Sequence, residues 1–228
     1  MTSRFDAVLF DAGGVLVLPD PTVLGPLLAP LGGSAEIADH RRAHYAAMAH
    51  KSHTGSAEGD WSTYNRTYVE SIGVDGGHRD HAAELLDHTR TPHLWRWPIP
   101  ETLSALGALS AADVPMGVVS NASGQIEAQL VRSGICQAGV GPAVAVRVVI
   151  DSHVVGVAKP DPRIFEFALP HFAEFERSRI AYVGDSVIMD VAAARAAGLH
   201  PVLVDPFDDH PAADFERIRA VTDVVDWF

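Results

Sequence analysis

The chain has 228 residues, 47% of them hydrophobic, and a formal net charge of −12 at pH 7. That content supports a real core in one large domain, or a domain with a sizeable insertion, and excludes wholesale disorder. The acidic balance argues against nucleic acid or an anionic membrane as a partner, and no apolar run approaches the ~18 residues of a membrane span.

In chain order, the first strand signal is AVLF at 7–10, which runs straight into Asp11 and then Ala12-Gly13-Gly14. A carboxylate at the rim of a core is costly unless something there needs it. Glycines add backbone freedom without side-chain chemistry. Residues 18–96 then lack strand-like runs and carry helix-compatible patterns such as AEIADHRRAHYAAMAH and RDHAAELLDHTR, so they read as a helical insertion after the first strand. Within it, His40 and His44 stand four apart, with His50 and His53 following, and they read as a solvated helix face. Lys51, in AHKSHTGS, reads as a surface lysine beside a turn. Trp61, Tyr64 and Tyr68 share one helix face and, with Tyr45, suit the insertion's core better than its ligand side. HLWRWPIPE at 93–101, with Trp95 and Trp97, reads as a stiff hinge that also packs on the core.

After the hinge, strands and helices alternate. The strand signals are 116–120 (MGVVS), 144–150 (VAVRVVI), 180–183 (IAYV) and 202–204 (VLV), with 223–225 (DVV) as a weaker sixth. Helices are expected at 101–110, at 123–133 stopped by Gly134, at 163–169 after Asp161-Pro162, and at 187–197 before Gly198. The alternation predicts an α/β fold, a doubly wound parallel sheet with helices on both faces. Cys136, the single cysteine, permits no disulfide or thiolate cluster, reads as a packing residue, and points to a reducing, cytoplasmic setting. The opening MTSRFDAVLF is too short and polar for a signal peptide.

Ligands of an open parallel sheet gather at the carboxyl ends of its strands. The residues there are Asp11, then Ser120 and Asn121, then Gly184-Asp185-Ser186 with Asp190 in the next helix, and Lys159 stands before the 163–169 helix. Acidic oxygen donors in that pattern suit Mg²⁺. A lysine, a hydroxyl and helix-start amides suit a phosphoryl group. Aspartate is itself a competent nucleophile in phosphoryl transfer.

The order Asp11 … Ser120-Asn121 … Lys159 (GVAKPDPRIF) … Asp185 … Asp190 (YVGDSVIMD) resembles the haloacid dehalogenase superfamily of aspartate-nucleophile hydrolases, over nearly the whole chain. The insertion is similar to that family's helical C1 cap. The resemblance implies a Rossmann-like core over 1–17 and 97–228 and a cap over 18–96. It implies Asp11 as nucleophile, and Asp11, Gly13 through its carbonyl, Asp185 and Asp190 around Mg²⁺, the last directly or through water. Ser120 and the Asn121 amide would take phosphoryl oxygens, and Lys159 would neutralise the nucleophile and the transferring group. The substrate would be a small phosphorylated metabolite and the protein a monomer or homodimer.

One position departs from the pattern. The family's phosphatases read Asp-x-Asp, and the second Asp, a general acid worth typically ~10²–10⁴ in rate, is here Gly13. Three readings stay open. The protein is a phosphatase with weak or restricted activity on good leaving groups; it binds a phosphorylated ligand with little turnover; or it resembles the phosphonoacetaldehyde hydrolases, with Lys51 forming an imine. Dehalogenases of the superfamily also lack the second Asp, but YVGDSVIMD resembles the metal-binding form.

Overall fold

The computed structural model describes residues 3–57 and 59–228. The chain opens with β1 (Ala7–Phe10) and β2 (Val17–Pro19), then α1 (Pro21–Leu28), α2 (Ile37–Thr54), α3 (Trp61–Ser71) and α4 (Arg79–Thr89). It returns through β3 (Trp95–Pro98) to α5 (Pro100–Ala111), β4 (Met116–Ser120), α6 (Ile126–Arg132), β5 (Cys136–Ala138), β6 (Val144–Val146), β7 (Val149–Asp151) and α7 (Ser152–Val155). β8 (Ile180–Gly184), α8 (Ala192–Ala197), β9 (His200–Val204) and β10 (Glu216–Ile218) complete it.

Six strands form one parallel sheet in the order β10-β9-β8-β1-β4-β7. β1 is central and buried on both faces, as its unbroken apolar run predicts. Its alternating side chains feed two cores. Val8 and Phe10 join Leu106, Leu109 and Leu130 on one face, and Ala7 and Leu9 join Phe165, Phe172 and Ala194 on the other. The insertion packs a third cluster around Leu28, Tyr64, Tyr68 and Leu86. Its neck is the antiparallel pair of β2 and β3. There Asp20 caps α1 through the Thr22 N–H and accepts from Arg96 Nε at 2.7 Å, tying the outgoing strand to the returning one.

Five expected elements come out differently. The 144–150 run divides at Arg147, so that β6 pairs with β5 in a separate two-stranded sheet and β7 with β4 in the main one. Arg147 at the break bonds the His171 carbonyl and the Glu174 carboxylate. Residues 223–225 are not a strand: Val221–Trp227 is a 3₁₀ turn that buries Val221 and Val224, three apart. The sixth strand is β10, whose Glu216 and Arg217 suit a sheet edge. The helix expected at 163–169 is two 3₁₀ segments, Pro162–Phe167 and Leu169–Phe172, because Pro170 has no N–H to continue an α-helix. The helix expected at 187–197 opens with a π turn, Val187–Val191, before α8 ends at left-handed Gly198. The helix expected over 123–133 is confined to α6.

Two readings of the insertion are corrected as well. His40 and His44 are buried, not solvated, whereas His50 and His53 are exposed. Lys51 is not a surface lysine: it is 3% exposed. α2 turns the side of the helix bearing 40, 44, 47 and 51 inward, and tertiary packing overrides the polarity of those residues.

Candidate active site

β1, β4 and β8 end at the same rim of the sheet, and the polar residues that follow them converge there. Asp11 continues β1, its N–H donating to the Val183 carbonyl at 2.8 Å. Its Oδ1 accepts from the Ala12 N–H at 2.7 Å and lies 3.0 Å from Lys159 Nζ. Burial drives the Asp11 carboxyl up to about 7; the Lys159 charge pulls it down, and the Asp190 and Asp185 charges push it further up.

Lys159 is fixed by its backbone and by its head. Asn121 clamps the backbone, accepting from the Lys159 N–H at 2.8 Å and donating Nδ2–H to the Lys159 carbonyl at 2.9 Å. The ammonium donates to Asp190 Oδ1 at 2.7 Å and to the Tyr182 hydroxyl at 2.8 Å. Burial opposes the Lys159 charge, yet Asp11 and Asp190 together hold its pKa above the ordinary lysine value. The Asn121 side chain is thus spent on positioning Lys159, and what it can offer a ligand is its backbone N–H.

Asp190 is 1% exposed and both of its oxygens are engaged. Oδ1 faces Lys159 and the Tyr182 hydroxyl, and Oδ2 accepts the N–H groups of Asp185 and Ser186 at 3.0 and 2.9 Å. The π turn allows this fold-back, with the N–H groups of Asp190 and Val191 both donating to the Ser186 carbonyl. Carboxylate oxygens of Asp11, Asp185 and Asp190 all lie within 4.8 Å of one another. Ser120, 3% exposed at the end of β4, lines the same cavity of about 410 Å³ as Asp11, Gly13, Asn121, Lys159 and Asp185. The loop after Ser120 is held from the junction of β7 and α7, where Asp151 Oδ2 accepts the Gly124 N–H at 2.8 Å and Ser152 Oγ accepts the Ala122 N–H at 3.1 Å.

The insertion adds what sequence reasoning missed. His44 is fully buried and its Nε2 lies 2.9 Å from Asp185 Oδ2. Burial pushes its pKa down to about 3, against the pull of the Asp11 charge, so the ring is neutral. An ionised carboxylate only accepts, so Nε2 carries the hydrogen and Nδ1 accepts from the Tyr64 hydroxyl at 2.9 Å. Tyr45 donates to the Gly14 carbonyl at 2.7 Å. The signal for these residues was their spacing on α2, masked by their polarity.

The two glycines divide their work. Gly14 has φ +69°, and a Cβ there would stand 2.0 Å from Asp185 Oδ2 and 2.7 Å from His44 Nε2; only glycine lets the loop pass that close. At Gly13 a Cβ would meet the Trp95 ring at 3.1 Å, so the indole of the hinge strand occupies the space a larger side chain would need.

Residues 5–198 match the family model described as haloacid dehalogenase-like hydrolase. The phosphoserine phosphatase of Thermus thermophilus is 30% identical over 141 residues, 61% of this chain and 53% of that protein. The chain spans about half the length of the curated relatives it matches. Among solved structures, a HAD phosphatase from Thermococcus onnurineus aligns with TM-score 0.58 and 22% identity, covering 97% of this chain and 96% of its own. A dehalogenase with an intermediate complex aligns with TM-score 0.59 and 15% identity, covering 98% and 97%. At those identities the structural likeness speaks for the fold.

Proposed function

The chain belongs to the haloacid dehalogenase-like hydrolases, and from that premise we propose that it hydrolyses a small phosphate monoester with Mg²⁺, Asp11 being the nucleophile and residues 18–96 the cap over a core of 1–17 and 97–228. The observation that carries this reading is the convergence of Asp11, Ser120, Lys159, Asp185 and Asp190 on one cavity.

The donor set fits the metal. Three carboxylates face one lysine, an excess of negative charge in a place where burial already drives Asp11 up to about 7. All the donors are hard oxygens. Asp11, Asp185 and the Gly13 carbonyl would hold the ion, with Asp190 behind them, because its own oxygens are committed to Lys159, Tyr182 and the 185–186 amides. Bound there, Mg²⁺ offsets carboxylate charge and polarises phosphoryl oxygen.

The residues then take these roles. With Oδ1 held by Ala12 and Lys159, Asp11 Oδ2 attacks phosphorus, and the bond to the ester oxygen breaks as an aspartyl-phosphate forms. Lys159 offsets charge on Asp11 and on the transferring group. Ser120 Oγ and the Asn121 N–H receive phosphoryl oxygens. Water hydrolyses the acyl phosphate and restores Asp11. No side chain at Gly13 protonates the leaving oxygen, and Trp95 fills that space, so the reading favours leaving groups that need little protonation, such as acyl and aryl phosphates.

Hydrolysis of a panel of aryl, acyl and alkyl phosphates is the test, with Mg²⁺ or with a chelator, beside Asp11→Asn. Mg²⁺-dependent turnover of the activated esters is expected, falling by at least about 10³-fold in the variant. Turnover that survives in Asp11→Asn, or binding of phosphorylated ligands with no turnover at all, would reject the proposal.

A further inference from the structure

The cavity that holds Asp11 and Lys159 is also lined by apolar side chains from five separate parts of the chain. They are Met48 on α2, Trp61 on α3, Trp95 on β3, Ile126 on α6 and Met189 in the π turn after β8. The phosphoryl chemistry at the rim makes no use of this wall. Polar neighbours in the same lining are engaged with the protein itself. Arg90 is held by Asn65 and Asp87 and lies over the Trp61 ring, 4.2 Å from its centre. The Gln125 amide donates to the Pro92 carbonyl at 3.1 Å and accepts the Ser123 N–H at 3.0 Å.

Trp95 is the apolar residue tied most directly to the reacting centre. A Cβ at Gly13, two residues after Asp11, would meet its Cζ3 at 3.1 Å and its Cε3 at 3.2 Å. On another side it stands edge-on to His44, with ring centroids 5.4 Å apart at 81°, and His44 bonds Asp185. The indole is half-buried and lines the cavity. The ring that takes the place of an acid therefore also gives the leaving group an aromatic surface to lie on.

These two properties select among leaving groups. An alkoxide needs the proton that Gly13 cannot supply. A carboxylate, leaving an acyl phosphate, needs no proton, but it keeps its charge on two oxygens that want donors, and an apolar wall has none to give. A phenolate needs little protonation, spreads its charge into its ring, and presents a flat face to the indole.

We propose that the substrate is an aryl phosphate whose aromatic ring packs against Trp95 while its phosphoryl group reacts at Asp11. The P–O bond breaks, the aryl C–O bond stays intact, and the phenolate takes its proton from water after it leaves. This deepens the phosphomonoester reading and rests on it. A cavity of about 410 Å³ suits a single substituted ring with its phosphate.

The test compares kcat/KM of the full chain with Mg²⁺ on esters matched in leaving-group acidity: phenyl against hexafluoroisopropyl phosphate, and ortho,para-dinitrophenyl against acetyl phosphate. In each pair the aryl compound is expected to be preferred by about tenfold or more. Trp95→Leu is expected to pull both ratios toward one, chiefly through KM, and Trp95→Phe to keep most of the preference. Each ratio is taken within one variant, so a general loss of active protein cancels. A ratio near one in the unaltered chain, or one that Trp95→Leu leaves intact, overturns the proposal. If Trp95→Leu does not fold, calorimetry on the unaltered chain decides. Benzylphosphonate should bind about threefold or more tighter than cyclohexylmethylphosphonate, which has similar bulk and no aromatic face; equal binding overturns the proposal. If none of the four esters is hydrolysed, the phosphatase reading fails by itself, and the same calorimetric pair still reads the aromatic subsite.

Discussion

At the rim of the sheet, Asp11, Lys159 and Asp190 stand where parallel strand ends and their following loops bring them together, and every contact among them comes from the core. In the insertion, His44, Lys51 and Tyr64 stand on helices, and they reach the site from outside the sheet. The rim is built from short motifs in fixed order; the insertion is built from one helix face whose residues look polar. The comparison teaches that the two halves contribute different things. The rim supplies charge chemistry held by many bonds per atom. The insertion supplies a few long-range contacts to that chemistry, of which His44 on Asp185 and Tyr45 on the Gly14 carbonyl are the buried ones.

The rim half of the comparison breaks hardest at Asp190. Asp190→Asn removes the charge that pairs with Lys159 and places an amide NH₂ against donors, either the Lys159 ammonium or the Asp185 and Ser186 N–H groups. Removing one partner of a buried ion pair costs about 3–5 kcal/mol. At roughly 2–4 °C per kcal/mol for a chain of this size, the melting temperature should fall by about 10 °C. Activity should fall with it, because Lys159 loses the contact that aims it at Asp11. A melt within about 2 °C of the parent would show that the rim is not held as a network.

The insertion half is tested at His44, with a smaller expected effect. His44→Ala removes a buried ring that packs edge-on to Tyr45, Tyr64 and Trp95 and bonds Asp185. A cost of about 2–4 kcal/mol is expected from the cavity and the lost bond. If His44 serves only packing, His44→Leu should restore stability and Mg²⁺ affinity together. If it orients Asp185, His44→Gln, which keeps an N–H donor, should restore Mg²⁺ affinity better than His44→Leu does. Equal Mg²⁺ affinities in the Gln and Leu variants would reduce the insertion's part in the metal end to packing.

How much of this was legible follows from the same contrast. Asp11, Ser120 and Asp185 were readable because each ends or directly follows an apolar strand run, and Lys159 because it precedes a proline-led turn; Asp190, inside the turn after β8, was read from its place in the YVGDSVIMD motif. The parallel sheet was readable from β1, β4, β8 and β9, whose runs are nearly pure apolar. β10 was not, because an edge strand tolerates Glu216 and Arg217, and its pairing with Arg4, His200 and Asp205 is long-range. The buried face of α2 was hidden for a different reason. Its positions 40, 44, 47 and 51 keep a helical period, but three of them are His, His and Lys. A periodicity search that counts apolar residues cannot see a face whose burial is offset by Tyr68, Tyr64 and Trp61 on the helix opposite. Trp95 was expected to pack in the hinge; that it also closes over Gly13 depends on the approach of β3 to the first loop, which no local pattern encodes.

The smallest effect comes from pH, and it links the halves through the metal. The Asp11 carboxyl sits at about 7 in the fold against an ordinary 3.8. Between those values the folded chain holds a proton that the unfolded chain has released. This group's contribution to stability is therefore present below about pH 4 and is lost as pH rises through 7. Mg²⁺ requires the ionised carboxylate, so binding at pH 6 must first displace that proton, at a cost of about 1.4 kcal/mol, whereas at pH 8 almost none remains to displace. The rise in melting temperature on adding saturating Mg²⁺ should accordingly be roughly 3–5 °C larger at pH 8 than at pH 6. Asp11→Asn has no proton to lose, and its Mg²⁺-induced rise should be smaller and the same at both values. An equal rise at both pH values in the unaltered chain would mean that Lys159 and the Ala12 N–H already keep Asp11 ionised at pH 6. The rim would then be balanced by its own residues, and the excess negative charge that argues for the metal would be smaller than the three carboxylates suggest.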